Sequence, residues 1–400
     1  MPWWWKTLVI LGLLAGVGWL SVQRARADAP PPVQVFPTVT YAFGEQIHFQ
    51  ARFRPEGEVK RAEVFYRAAW LRGATLFGDL TLSDGKTWVF DHDLRRTPFP
   101  PFVTVYYWFH LVLKDGSELT TPSFSFVLQD NRFKWQHFAA PPFRVWWYRG
   151  DARMAQQVVD AAREGVLRAE ALWLAPPPSQ VDIYVYADPH ALQTALGSEG
   201  WVAGHASPAF GALFVLLPPG PQQPGEIRRL VPHELAHAIL YRQLGVAGYR
   251  SLPTWLNEGL ASNCELEPNP DYRQILSEAV HQHRLIPIAD LCAGFPPDTA
   301  GALLAYAESA SFVDYLLHRY GRSAMQTLVL AYGQGIGCED GVAQVLGTSL
   351  SRLDRTWQRK ALGAGAWWEA LVPFWPWLVL AGAVLLPLWL GWRLQRPQKR

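Results

Sequence analysis

The chain has 400 residues, a formal net charge of +2, and apolar residues at half of its positions. That length predicts two or three domains with ample material for cores. So balanced a charge gives no basis for a nucleic-acid partner or an acidic polymer. The three cysteines, Cys264, Cys292 and Cys338, make neither a disulfide scaffold nor a metal knuckle, and the spacing leaves open whether a pair of them bonds and which.

Segment 1–27 carries Lys6, an uncharged run of 14 residues from Thr7 to Leu20, and then Ala25-Arg26-Ala27. The run is short for a bilayer span, which needs roughly 20 residues. It predicts a signal peptide cut after Ala27, with an uncleaved N-terminal anchor as the alternative. Ala29-Pro30-Pro31-Pro32 is a stiff linker.

Residues 33–130 alternate with period two in short runs. Ile47, Phe49, Ala51 and Phe53 share one face; Val103, Val105, Tyr107, Phe109, Leu111 and Leu113 share another. Asp84-Gly85 and Asp115-Gly116 mark hairpins between such runs. The pattern predicts an all-β sandwich of immunoglobulin or fibronectin type. It holds no constellation with chemistry, so it reads as a spacer or an interaction module.

Composition and period change at residues 130–142, and a second domain is expected over 141–362. Apolar positions from Ala152 to Trp173 recur at helical spacing, with Asp151 placed to cap the helix. Val181 to Tyr186 reads as a strand, and Asp188-Pro189 as the start of a short helix. A second strand is predicted from Gly211 to Leu217. Within it, Ala212 to Val215 would suit an edge that pairs with an extended substrate backbone; an ordinary inner strand is the alternative.

The chemistry lies in His233-Glu234-Leu235-Ala236-His237. Two histidines four apart on a helix project from one face, where one zinc ion can take both imidazoles. The helix is predicted from about Glu226 to Leu244, ending at Gly245. Its Arg228, Arg229, Glu234 and Arg242 exclude a membrane-spanning helix. Pro232 sits awkwardly just before His233. Catalytic zinc usually takes three protein groups and one water. Glu258 is the candidate third ligand, with twenty residues between it and His237. Glu234 is then placed to act as general base. Tyr306 is the candidate oxyanion donor, ahead of Tyr315. His281 and His283, two apart, do not share a helix face and read as a solvated helix end.

The remainder is predicted helical, with segments at 302–320 and 322–332 among others, up to the joint Gly363-Ala364-Gly365-Ala366. Leu371 to Trp392 is 22 residues without charge, followed by Arg393, Arg396, Lys399 and Arg400. This predicts a transmembrane helix over 371–392 with a basic cytoplasmic tail, 393–400. Tryptophans crowd both ends of the chain, which suits membrane interfaces. The expected location is therefore the cell membrane, with a single C-terminal span and the catalytic domain outside the cytoplasm.

The string His233-Glu-Leu-Ala-His237, followed by Leu-Pro-Thr-Trp-Leu-Asn-Glu258-Gly-Leu-Ala, resembles the gluzincin clan of zinc metallopeptidases. The later Tyr306-Ala-Glu-Ser-Ala-Ser-Phe-Val-Asp-Tyr315-Leu and Tyr320-Gly321 are similar to bacterial peptidase MA-like proteins. The resemblance covers about Arg144 to Lys360. It implies a thermolysin-like α+β domain with a helical C-terminal half, a Zn2+ cofactor, and a peptide or protein substrate. No G-x-M-E-N string lies upstream, so endopeptidase action is favoured over aminopeptidase action. The alternative reading is a catalytically silent peptidase-like protein that serves in binding or adhesion.

Overall fold

The computed structural model describes residues 33–69, 75–197, 204–207 and 212–363, together with separate positions between Trp375 and Trp389. The expected signal segment 1–27 and the basic tail 393–400 lie outside the described residues.

Among the described residues, nine strands form the N-terminal part: β1 (Gln34–Ala42), β2 (Gln46–Arg54), β3 (Val59–Ala68), β4 (Leu76–Asp79), β5 (Thr81–Leu82), β6 (Thr87–Asp93), β7 (Val103–Leu113), β8 (Glu118–Thr120) and β9 (Phe124–Leu128). They make two antiparallel sheets, ordered β1-β2-β6-β5 and β4-β3-β7-β8, with β9 also paired to β7. Alternation puts Ile47, Phe49, Ala51 and Phe53 of one sheet against Val64, Tyr66, Tyr107 and Phe109 of the other. The Phe49 ring lies 5.0 Å from that of Tyr66, and Phe53 lies 6.2 Å from Phe109.

A third sheet follows. Its strands β10 (Gln136–Ala140), β11 (Phe143–Trp147), β12 (Val181–Tyr186), β13 (Gly204–Ser207) and β14 (Ala212–Leu216) run in the order β10-β11-β12-β14-β13. The crossover from β11 to β12 is α1 (Ala152–Trp173). Asp151 starts that helix by accepting a hydrogen bond from the Met154 amide. Helix α2 (Pro189–Leu196) begins in the same way, with Asp188 accepting from the Ala191 amide.

Both faces of this sheet are buried. Ile183, Val185, Leu213 and Val215 pack under α1 and α3 (Gln223–Arg250), in one core with Val158, Leu235 and Ile239. Tyr184, Tyr186, Phe214 and Leu216 face the sandwich. There the Phe102 ring stacks on Tyr184 at 3.8 Å, the Tyr186 hydroxyl donates to Asp130, and Arg132 donates to the Ala191 carbonyl. Strands covered on both sides read as unbroken apolar runs, which is the pattern of Ala212 to Leu216. Of the two readings of Ala212 to Val215, the pairing decides for the inner strand and against the edge. β14 pairs parallel with β12 and antiparallel with β13, so both of its sides are taken. Among the described residues, the edge strand on that side of the sheet is β13, and β10 forms the opposite edge.

The helical half comprises α4 (Thr254–Cys264), α5 (Tyr272–His281), α6 (Thr299–Gly333), α7 (Cys338–Leu346) and α8 (Leu350–Lys360). Helices α3 and α6 are each broken by one glycine. Gly245 has φ 71° and Gly321 φ 79°, a left-handed backbone that glycine adopts without steric cost. Cys292 and Cys338 form a disulfide, and Cys264 is buried and free. The bridge ends beside the start of α4: the Thr254 amide donates to the Cys292 carbonyl at 3.0 Å, and the Trp255 indole to the Cys338 sulfur at 3.3 Å.

The expected transmembrane helix over 371–392 does not stand, nor does the cell-membrane location with an extracytoplasmic domain that rested on it. Among the described residues no helix is long and apolar enough to cross a membrane. A span needs roughly 20 successive apolar residues in one helix. The described helical positions of that segment are separate ones such as Trp375, Val379 and Leu386, and the others lie outside the described residues.

Candidate metal centre

Helix α3 carries His233 and His237 on one face, and α4 crosses it with Glu258. Both imidazole Nε2 atoms stand 3.5 Å from the same Glu258 Oε2. The donor atoms of the three residues all lie within 4.8 Å of one another. Tetrahedral zinc with ligand bonds near 2.1 Å separates its donors by about 3.4 Å. Two imidazoles and one carboxylate at this spacing fit Zn2+ and leave a fourth position open.

The other imidazole nitrogens are committed. His233 Nδ1 lies 3.0 Å from Glu265 Oε1, and His237 Nδ1 lies 3.1 Å from Asn257 Oδ1. Each ring therefore donates from Nδ1 and presents Nε2 to the site, an arrangement that fixes tautomer and orientation. The Asn257 amide is itself oriented, since its Nδ2 donates to the Tyr249 hydroxyl at 3.2 Å. Tyr249 reaches this place because the chain turns at Gly245. Glu265, Asn257 and Tyr249 surround the candidate ligands, and the sequence reading gave them no place in the site. A signal for Glu265 existed: it lies seven residues, two helical turns, beyond Glu258, and so on the same side of the segment.

The electrostatics follow from burial opposed by charge. Burial lowers the pKa of the His233 ring, but hydrogen bonds to Glu258 and Glu265 outweigh it and hold the ring up at about 10. At His237 burial likewise opposes the rise, and the Glu258 carboxylate prevails. Burial raises Glu258, yet attraction to His237 and hydrogen bonds to both rings hold it well below the usual carboxylate range.

These shifts predict how zinc loads. A histidine held above its ordinary 6.5 stabilises the chelator-stripped fold fully below that pH, and the contribution is lost as pH rises through about 10. Zinc must displace these protons. Loading at pH 7 is expected to release at least one proton per site, that of His233, and affinity is expected to weaken as pH falls. Calorimetry in buffers of different ionisation enthalpy measures the release, and a heat independent of buffer contradicts it.

Glu234 is buried, and its charge acts on His233, His237, Tyr249 and Tyr306. The Tyr306 ring lies 6.4 Å from the His233 ring. Burial, then the charges of Glu258 and Glu234, push its hydroxyl far above the ordinary tyrosine range, so it stays a protonated donor. The Tyr249 hydroxyl is pushed up to about 12, chiefly by burial. Tyr315 points elsewhere chemically, for its hydroxyl accepts from Arg319 on its own helix.

Close helix packing sets Glu258. A Cβ on Gly259 would lie 2.4 Å from Val313 Cγ2 and 2.5 Å from the Ser309 carbonyl oxygen of α6. Gly259→Ala is expected to push α4 off α6 at a cost of about 2 kcal/mol, lowering Tm by roughly 4–8 °C and weakening zinc binding. An unchanged Tm in thermal unfolding shows that the helices accommodate the methyl.

An α/β layer that delivers two histidines from one helix and a glutamate from the next defines a zinc metallopeptidase of the gluzincin kind. The chain belongs to the Peptidase MA superfamily, whose family model matches residues 161–363, just over half of its length. No curated protein matches it. Among solved structures, a mutant M1 zinc metallopeptidase from Deinococcus radiodurans is 11% identical, with 81% of this chain and 92% of that one covered and a TM-score of 0.39. An aminopeptidase N family protein from Idiomarina loihiensis is 9% identical, with 79% and 73% covered and a TM-score of 0.38.

Proposed function

We propose that the protein hydrolyses internal peptide bonds, with His233, His237 and Glu258 holding zinc and Glu234 as general base. What supports this reading is the meeting of both imidazoles at one Glu258 oxygen, 3.5 Å from each. Bound zinc supplies a Lewis acid that lowers the pKa of water from about 16 towards about 7 and polarises a carbonyl. Glu234 takes the proton of the attacking water and passes it to the leaving amine. The protonated Tyr306 hydroxyl donates to the oxygen where negative charge develops.

The substrate lies extended along β13, whose outer side pairs with no strand among the described residues. Main-chain pairing of this kind holds a peptide without reading its terminus. The missing G-x-M-E-N string removes the group that would hold a free amine. The sandwich over 33–130 serves as a fixed spacer or substrate selector behind the peptidase sheet over 141–362.

The test is a mixed peptide library offered with free and with acetylated N-termini, together with zinc stoichiometry. Equal cleavage of both forms at internal bonds, at one zinc per chain, is expected. Loss of one residue at a time from free N-termini alone replaces the endopeptidase reading with an aminopeptidase one. No cleavage at full zinc loading identifies a silent binding protein.

A further inference from the structure

A regular helix joins the amide of residue 232 to the carbonyl of Arg228, but residue 232 is proline and has no N–H to give. Pro232 nonetheless lies inside α3, one residue before His233. The ring is accommodated by Gly165 of α1, where a Cβ would stand 3.0 Å from the Pro232 Cβ.

The carbonyl left without its helical donor does not go unused. Arg228 O accepts from the amide of Leu266 at 2.9 Å. Leu266 directly follows Glu265, which ends α4 with φ −56° and ψ 130°. Glu265 is 2% exposed, and its Oε1 receives the His233 Nδ1 hydrogen bond at 3.0 Å. Two ties therefore bind the end of α4 to one turn of α3: a backbone bond to Arg228 and a side-chain bond to His233. The first exists because Pro232 cannot fill it.

We propose that Pro232 is a positioning residue for His233: by leaving the Arg228 carbonyl open, it docks the Leu266 amide and so seats Glu265 on His233 Nδ1. This deepens the ligand reading above and rests on it. Alanine at 232 restores a donor within the helix, which competes with Leu266 for the same oxygen. The segment at 265–266 is then released, and the His233 ring loses the carboxylate that orients it.

The experiment measures zinc affinity by chelator competition, and the absorption spectrum of the cobalt-loaded protein, for the full chain and for Pro232→Ala, Glu265→Ala and the double variant. Pro232→Ala is expected to bind zinc about tenfold more weakly and to alter the cobalt spectrum, as loss of an outer hydrogen-bond partner does. The double variant is expected to bind no more weakly than Glu265→Ala alone, because both changes remove one interaction. Wild-type affinity in Pro232→Ala, or a double-variant loss equal to the sum of the two, overturns the proposal.

Should Pro232→Ala not fold, Leu266→Pro deletes the same hydrogen bond from the other side. Glu265 already has the extended backbone that a residue before proline adopts. The same tenfold loss is expected, and unchanged affinity overturns the proposal. In the unaltered protein the Leu266 amide must exchange slowly with solvent, and exchange at the unprotected rate likewise overturns it. Glu258→Ala in the same assay tests the ligand reading separately: full zinc retention there refutes that reading whatever Pro232→Ala does.

Discussion

Glu234→Gln is expected to cut peptide hydrolysis by about 100- to 10,000-fold while leaving one zinc per chain. Glutamine keeps the shape of the side chain but cannot take a proton. Glu234 is 7% exposed, and its charge helps to hold both imidazoles protonated. Removing that charge lowers the imidazole pKa values, so protons compete less with zinc and affinity is not expected to fall. A variant that retains both zinc and full hydrolysis shows that another group moves the proton, and the mechanism proposed here is then wrong.

Glu258→Ala should act the other way round, on the metal first. Structural zinc sites in peptides hold their ion with about 10–16 kcal/mol shared among four ligands, so one ligand is worth roughly 3 kcal/mol. Zinc affinity is then expected to fall more than 100-fold. The variant also removes the carboxylate that both Nε2 atoms face at 3.5 Å, so both imidazole pKa values should drop. Histidine titration by NMR on chelator-stripped protein reads that change independently of activity. Unaltered zinc affinity would mean that the third ligand is misassigned.

Much of the architecture was legible from local pattern. Asp151 and Asp188 marked two helix starts because a short side chain that accepts from the third amide onward is a local device. Gly245 and Gly321 marked two helix breaks for an equally local reason, a backbone angle that other residues rarely adopt. The place of β14 was harder. Ala212 to Leu216 is apolar on both faces, the sign of a strand with neighbours on each side, yet its nearness in sequence to the histidine helix suggested an edge. Two β-layers and a helical layer explain the run: one face of the strand packs on α3 and the other on the sandwich. The uncharged stretch at 371–392 pointed to a membrane by composition alone, and a span also requires one continuous helix, which the described residues do not supply.

The primary structure settles what spacing settles. Residues four apart on a helix share a face whatever surrounds them, so His233 and His237 had to point together, with Glu234 between them. Spacing along one helix does not bring a carboxylate or an amide from another helix beside them. That Glu265 and Asn257 hold the two imidazoles, that Cys292 pairs with Cys338 and leaves Cys264 free, and that α4 comes close enough to bring Glu258 to both rings depend on how α3, α4 and α6 pack. Packing is a property of side-chain volumes meeting across the fold, and Gly259 matters because of what lies opposite it.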